Sequence, residues 1–190
     1  MSDRVTGRVL YLLGCAAPPV RYVEGAVRAA RARGWEVCLG LTPTAAGWLG
    51  ESLPGLAEAT GRRVRTAPST PGARGDWPPA DVVAVAPATL NTVNAIALGL
   101  TPTWVANTGV DAVGRRIPLV VMPCVNTDYA RHPQFARSLD ALRAEGVRVL
   151  YGPGGFEPNP PGQGRPEAYP WHLLLDAAED AGGRSAAESA

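Results

Sequence analysis

Short apolar runs alternate along the chain with longer segments that carry apolar residues at helical spacing. The runs lie at 8–14, 35–41, 81–86, 118–122 and 147–151, and several are closed by Gly or Pro. Continuous apolar runs of this length are typical of strands buried on both faces of a parallel sheet. Parallel strands need crossover connections, and the intervening segments supply them. The pattern therefore predicts an α/β fold of three layers, with helices on both faces of a parallel sheet.

The segments between the runs are predicted to be helical, with boundaries set by Pro, Gly and capping residues. The predicted helices are 19–33, two short helices within 45–61, one that opens at 87–92 and runs to Leu98, then 102–113, 133–145 and 171–181. A short extra strand is expected at 63–67. Two Gly- and Pro-rich segments, 68–80 and 152–169, are predicted to be long loops. We expect one domain over 1–181 and a frayed tail over 182–190.

Composition narrows the classes of function. The chain has 190 residues, 46% of them apolar, and a formal net charge of +1, which argues against a strongly basic nucleic-acid binder. No apolar stretch reaches the roughly 18 residues needed to span a bilayer, and the N-terminus lacks a signal-peptide pattern, so we expect no membrane partner and a cytoplasmic protein. The three cysteines are widely spaced, and only two histidines occur, so reduced thiols and no metal site are expected.

Loops at the carboxyl ends of parallel strands form the ligand sites of such folds. The loops after Gly14, Leu41, Ala86 and Met122 should therefore meet at one site. The third loop, 87–92, holds more hydrogen-bonding side chains than one helix cap needs, which favours a polar ligand there. For the other loops a structural role is the alternative: a tight turn in the first, and helix capping in the second and fourth.

The loops resemble those of the homo-oligomeric flavin-containing cysteine decarboxylases, a family that includes phosphopantothenoylcysteine decarboxylase and the lantibiotic-peptide decarboxylases. The family segment Pro-Ala-Ser/Thr-Ala-Asn-Thr matches 87–92 at every position except Leu90. In the fourth loop Pro123, Asn126 and the His132-Pro133 pair match a second family motif. The turn 42–44 is similar to the family's Thr-x-Ser, and the correspondence runs from about residue 8 to residue 165.

The resemblance implies a flavodoxin-like fold, FMN at subunit contacts and a trimeric unit. It also implies roles for individual positions of this sequence. Asn126 matches the residue that binds the substrate carboxylate, and Cys124 is expected near the isoalloxazine ring. The implied cofactor-binding set is Ala17, Thr42, Thr44, Thr89, Leu90, Asn91, Thr92 and Cys124, with Thr42 and Thr44 approaching the phosphate.

Two family features are missing from the sequence. The decarboxylases carry a His on the loop that precedes the strand leading to Pro87, whereas 66–80 holds no His, and Arg74 is the only cation in its later half. The coenzyme-A enzymes carry a proton-donating Cys on the late loop, whereas 155–165 holds none and Pro158 lies near that place. His132 is expected to cap a helix, and His172 to have a structural or surface role. No catalytic residue is therefore assigned.

The sequence is compatible with three functions. The first is an FMN-dependent enzyme that acts on a small-molecule or peptide carboxylate. The second is a flavin-binding regulatory or interaction subunit without decarboxylase activity. The third is another flavin enzyme, such as a reductase or a prenyl-flavin transferase, although the sequence has no Arg-rich phosphate site for the latter. The resemblance implies an oligomer, and two apolar faces, Trp104 with Val105 and Phe135 with Leu139, favour one because a single small domain is not expected to cover them fully.

Overall fold

A computed structural model describes residues 7–68 and 77–188 of the chain. Five strands form one all-parallel sheet in the order β2-β1-β3-β4-β5. The strands are β1 Arg8–Gly14, β2 Trp35–Leu41, β3 Val82–Ala88, β4 Leu119–Pro123 and β5 Arg148–Val149. This strand order is flavodoxin-like, and it reverses between β1 and β3. The predicted fold class is confirmed.

Eight α-helices are assigned within the described residues. They are α1 Val23–Ala32, α2 Pro43–Trp48, α3 Leu53–Thr60, α4 Leu90–Ala97, α5 Trp104–Gly114, α6 Thr127–Ala130, α7 Pro133–Ala144 and α8 Trp171–Glu188. Short 3-10 turns cover Pro18–Tyr22, Gly50–Ser52 and Pro166–Ala168. One apolar core lies between the sheet and α1, α3 and α8, and a second lies between the sheet and α4, α5 and α7.

Strand β3 shows why the apolar runs are continuous. Val82, Ala84 and Ala86 face the first core, whereas Val83 and Val85 face the second. Successive side chains of a strand point to opposite faces, so a strand covered by helices on both sides needs apolar residues at every position.

Several element boundaries differ from the prediction. The segment 63–67 is not a strand but forms a single bridge, in which Arg65 pairs with Gly40. The predicted helix 19–33 begins as the 3-10 turn Pro18–Tyr22, and the α-helix proper begins at Val23. Strand β5 has only two residues, Arg148–Val149, rather than five.

The C-terminal segment is also different, because α8 continues to Glu188 instead of ending at Ala181. Gly182 explains the wrong boundary. A Cβ at Gly182 would lie 3.1 Å from Cη2 of Trp35 and 3.3 Å from Cγ2 of Val82. The glycine therefore permits close packing of α8 on the sheet and does not mark the end of the helix.

The two apolar faces that suggested an oligomer are internal. Trp104 is 6% exposed and Leu139 4%, and Val105 and Phe135 are buried with them in the second core. This argument for an oligomer is therefore wrong, because α4, α5 and α7 pack on one another and cover these side chains. The large apolar side chains that remain exposed among the described residues are Tyr22, Trp48, Leu98, Leu100 and Tyr129. In the part of the chain that the structure describes, no helix is long and apolar enough to cross a membrane.

Candidate functional site

The carboxyl ends of β2, β1, β3 and β4 are joined side by side through backbone hydrogen bonds. Thr42 N donates to Gly14 O at 3.0 Å, Cys15 N to Pro87 O at 3.0 Å, and Cys124 N to Ala88 O at 2.8 Å. These bonds place the starts of the four loops next to one another along the carboxyl edge of the sheet. The β1 and β3 ends lie at the reversal of strand order, which is the usual ligand crevice of such sheets.

The start of α4 lies at this reversal and has no side-chain cap. Thr89 is the N-cap residue, and its side chain makes no capping hydrogen bond. At the starts of α2, α5, α6 and α7 the cap side chains of Thr42, Thr103, Asn126 and His132 each accept from a backbone N–H. The first N–H groups of a helix carry partial positive charge and need acceptors. The α4 terminus can therefore supply donors to a polar or anionic group.

The hydroxyl of Thr92 faces the protein interior. Thr92 is 5% exposed, and its Oγ1 accepts from the Cys15 thiol at 3.3 Å and lies 3.3 Å from Oγ1 of Thr89. Burial raises the pKa of the Cys15 thiol, and hydrogen bonds with Thr92 and with the Thr89 backbone oppose this shift. Thr92 thus holds Thr89 in place at the N-terminus of α4.

The neighbouring motif residues face outward to different degrees. Asn91 is exposed in the first turn of α4, so its amide is open to a ligand or to another subunit. Leu90 is partly buried against the second core. The third loop therefore presents one hydroxyl, one amide and the helix N–H groups on the same edge.

The first two loops leave fewer polar side chains free to contact a ligand than the sequence suggested. Thr42 is buried, and its Oγ1 accepts from Ala45 N at 3.4 Å, which is ordinary N-capping. Thr44, two residues further along the chain, is exposed. The Ala17 side chain is buried at the start of the 3-10 turn. Among these three residues, Thr44 is the one whose polar side chain meets the surface.

The fourth loop uses its polar side chains as helix caps. Oδ1 of Asn126 accepts from Asp128 N at 3.1 Å and from Tyr129 N at 2.9 Å. Nδ1 of His132 accepts from Gln134 N at 3.1 Å, so the predicted capping role of this histidine is confirmed. The side-chain amide nitrogen of Asn126 remains as the donor that this residue can offer a ligand.

Cys124 is half-buried at the end of β4 and packs against the first core. Burial raises the pKa of its thiol to about 12. The thiol therefore stays protonated near neutral pH, and it can serve as a neutral wall of a site.

Sequence reasoning missed Tyr169, a buried residue beside the fourth loop. Its hydroxyl donates to Met122 O at 2.6 Å, and burial raises its pKa well above the ordinary value, with smaller contributions from Cys124 and Cys15. The late loop 152–169 also contacts the fourth loop, where Thr127 N donates to Asn159 O at 3.0 Å. A lone tyrosine in a Gly/Pro-rich loop was the only sequence signal for this contact.

The loop in which the family His is missing lies mostly outside the described residues, and this includes Ala73 and Arg74. Its described end is held by aromatic contacts. The Trp77 ring lies 4.8 Å from that of Tyr11, and the Arg65 guanidinium lies 5.6 Å from the Trp77 ring and 4.7 Å from the Trp104 ring. Within the ranges that the structure covers, no group of three metal-ligating side chains occurs.

Solved structures share this fold at low identity. The FMN-dependent cysteine decarboxylase TvaF of thioviridamide biosynthesis is 23% identical, with a TM-score of 0.69 over 93% of this chain and 98% of its own. MrsD from a Bacillus species is 19% identical, with a TM-score of 0.69 over 92% and 96%. The peptidyl-cysteine decarboxylase EpiD is 15% identical, with a TM-score of 0.62 over 76% and 86%.

A comparison with curated proteins finds no match to the chain. A family model described as Flavoprotein matches residues 55–177, which include β3, β4 and both motif-bearing loops. That match covers well over half of the chain. The chain therefore belongs to the Flavoprotein family.

Proposed function

We propose that the protein binds FMN at the carboxyl ends of β1 and β3. The observation that carries the proposal is the uncapped start of α4, where Thr89 leaves the first helical N–H groups without a side-chain acceptor. A flavin ring carries carbonyl oxygens and ring nitrogens, and FMN carries a phosphate, so both ends of the cofactor are acceptors that such N–H groups suit.

The residues present fit this group. Asn91 offers an exposed amide beside the α4 terminus, and Cys124 offers a neutral thiol wall for the isoalloxazine ring. Thr44 offers its hydroxyl and its backbone N–H as donors for the phosphate, and Thr42 shapes that turn as its cap. Thr92 acts through Thr89, and Ala17 and Leu90 contribute apolar contact. When bound, FMN would supply a two-electron oxidant.

The proposed substrate carries a carboxylate and is a small molecule or a peptide. Asn126 supports this proposal, because its Oδ1 is occupied by two backbone donors and its amide nitrogen is therefore oriented by the cap. A donor fixed in this way suits a carboxylate oxygen. The structural neighbours TvaF and EpiD are cysteine decarboxylases, and their chemistry is the model for an oxidative decarboxylation here.

We also propose that the family's usual decarboxylation is weak or absent. No His occurs in 66–80, and His132 has its Nδ1 engaged as a cap. General acid–base help is typically worth about 10²–10⁴-fold in rate. The alternative function is a non-decarboxylating flavin-binding subunit with a regulatory or interaction role.

The cofactor is tested first, by the absorbance spectrum of the purified protein and mass spectrometry of the released ligand. A flavin spectrum with the mass of FMN is expected. A colourless protein that does not take up added FMN would contradict the proposal, and FAD would count against a phosphate site at 42–44.

The reaction is tested by release of carbon dioxide with FMN reduction, on phosphopantothenoylcysteine and on peptides that end in Cys. Little release is expected from the wild type and more from Ala73→His. Robust release by the wild type would show that another group supplies the base.

The proposed assembly is a homotrimer or a multiple of one. The support is the family resemblance and the exposed position of Asn91, which leaves the cofactor motif open on one side of a single chain. Light scattering at micromolar concentration tests it, and a monomer would contradict it.

A further inference from the structure

The late loop is fastened to the carboxyl edge at three separate points. At its start, Phe156 N donates to Leu150 O at 3.2 Å, and Gly155 lies so close to the Leu150 backbone that no Cβ would fit. In its middle, Asn159 O accepts from Thr127 N. At its end, the Tyr169 hydroxyl donates to Met122 O.

The third point, the hydrogen bond from Tyr169 to Met122 O, is buried among aromatic rings. Tyr169 is 5% exposed, and its ring lies 5.5 Å from the Phe156 ring and 5.0 Å from the Trp171 ring. The hydrogen bond joins residues 47 positions apart in sequence and is buried. Its acceptor belongs to the strand that ends directly before Cys124. The hydroxyl therefore links the end of the loop to the strand that positions this thiol.

Between the second and third points the loop spans the edge of the sheet. Residues 160–165 are exposed, and the 3-10 turn Pro166–Ala168 packs against Pro18–Tyr22, which follows β1. The loop thus reaches from the end of β4 to the end of β1, past the end of β3, which lies between them in the sheet.

We infer that Tyr169 is a positioning residue whose hydroxyl holds the segment 157–168 across the carboxyl edge as the wall of the site beside Cys124. This inference rests on the proposed function for what the site contains, but the contact itself concerns the protein without ligand. Loss of the hydroxyl leaves Met122 O without its buried donor and allows the segment to open locally.

The experiment compares Tyr169→Phe with wild type and with Tyr151→Phe. Tyr151 is a matched control, because it starts the same loop and packs edge-on against Phe135 at 5.1 Å, and its hydroxyl has no hydrogen-bond partner among the described residues. Each ligand-free protein is treated with N-ethylmaleimide, and alkylation of each cysteine is followed by peptide mass spectrometry. A parallel digestion with an endoprotease specific for glutamate reports on the exposed bond after Glu167.

In Tyr169→Phe we expect alkylation of Cys124 and cleavage after Glu167 to be about five- to tenfold faster than in wild type. Cys38 is buried in the middle of β2 and reports on global opening, so its rate should not change. Wild-type rates in Tyr169→Phe would overturn the inference. An equal rise in Tyr151→Phe, or an equal rise at Cys38, would also overturn it.

A separate arm adds FMN to the wild type. Slower alkylation of Cys124 supports a flavin beside this thiol. Absence of protection, with the expected difference between the two tyrosine variants intact, would count against the proposed cofactor site and leave the role of Tyr169 in place.

Discussion

The loops after β3 and β4 both carry polar side chains at the same edge of the sheet, yet these side chains have different roles. After β4, Asn126 and His132 accept three backbone hydrogen bonds between them and cap α6 and α7. After β3, Thr89 caps nothing, and Asn91 is exposed. A loop whose polar groups are already paired is a structural element first. A loop that leaves the backbone N–H donors of a helix unpaired at a ligand crevice is the better place for a cofactor to accept hydrogen bonds.

The two loops also differ in the residues that hold them in place. Thr89 is held from behind by Thr92 and Cys15, which are both buried. The α6 start is held by its own cap and by the bond from Thr127 N to Asn159 O. The comparison predicts that a change at the exposed Asn91 alters flavin affinity at little cost in stability, whereas changes at the caps Asn126 and His132 alter stability at little cost in flavin affinity.

The largest effect is expected for Asn91→Ala. FMN affinity should fall about tenfold or more, because a hydrogen-bonded amide group is lost from the proposed site. The free energy of unfolding should hardly change, since the residue is exposed and Ala is a good helix former. Fluorescence titration with FMN and thermal unfolding measure the two quantities. Thr127→Ala is the control, and equal FMN affinities in the two variants would place the flavin elsewhere.

A smaller effect, on stability, is expected for Asn126→Ala. Two backbone N–H groups lose their acceptor, and loss of an N-cap typically costs about 0.5–2 kcal/mol. FMN affinity should stay within about twofold of wild type if the role of this residue is confined to the cap and the substrate. Urea unfolding and FMN titration measure both.

Asn126→Asp is the matched variant for this position. It keeps the capping oxygen and should restore the free energy of unfolding, but it loses the amide donor and adds a negative charge where a carboxylate is proposed to bind. A loss of FMN affinity in Asn126→Ala as large as that in Asn91→Ala would remove the distinction between the loops.

The smallest effect is expected for His132→Ala. One exposed cap on α7 is lost, which should cost about 0.5–1 kcal/mol of stability and leave flavin binding unchanged. His132→Asn keeps a capping acceptor and should recover most of the loss. Thermal unfolding of the three proteins checks this order, and a change in the flavin spectrum of His132→Ala would give the histidine a role at the cofactor that the geometry does not assign.

Much of the architecture was predictable because a strand that is buried on both faces needs a continuous run of apolar residues, and such runs are visible in the sequence. Residues 82–86 had to be apolar throughout, and the strand pattern led to the parallel sheet. The weaker predictions were those that depended on contacts distant in sequence. Arg65 forms one bridge with Gly40 instead of a strand, and Gly182 packs against Trp35 instead of ending a helix.

The sequence by itself determined that the chain is an α/β protein and which loops lie at the carboxyl edge, since strand periodicity and turn residues are local properties. It also carried the motif at 87–92 that resembles a flavin-binding segment. Only the tertiary structure decided which polar groups of those loops are already paired. Thr92 bonds with Cys15, 77 residues away in sequence, and Tyr169 bonds with Met122, 47 residues away. Hydrogen-bond partners chosen across such distances depend on how the layers pack, and no local pattern encodes them.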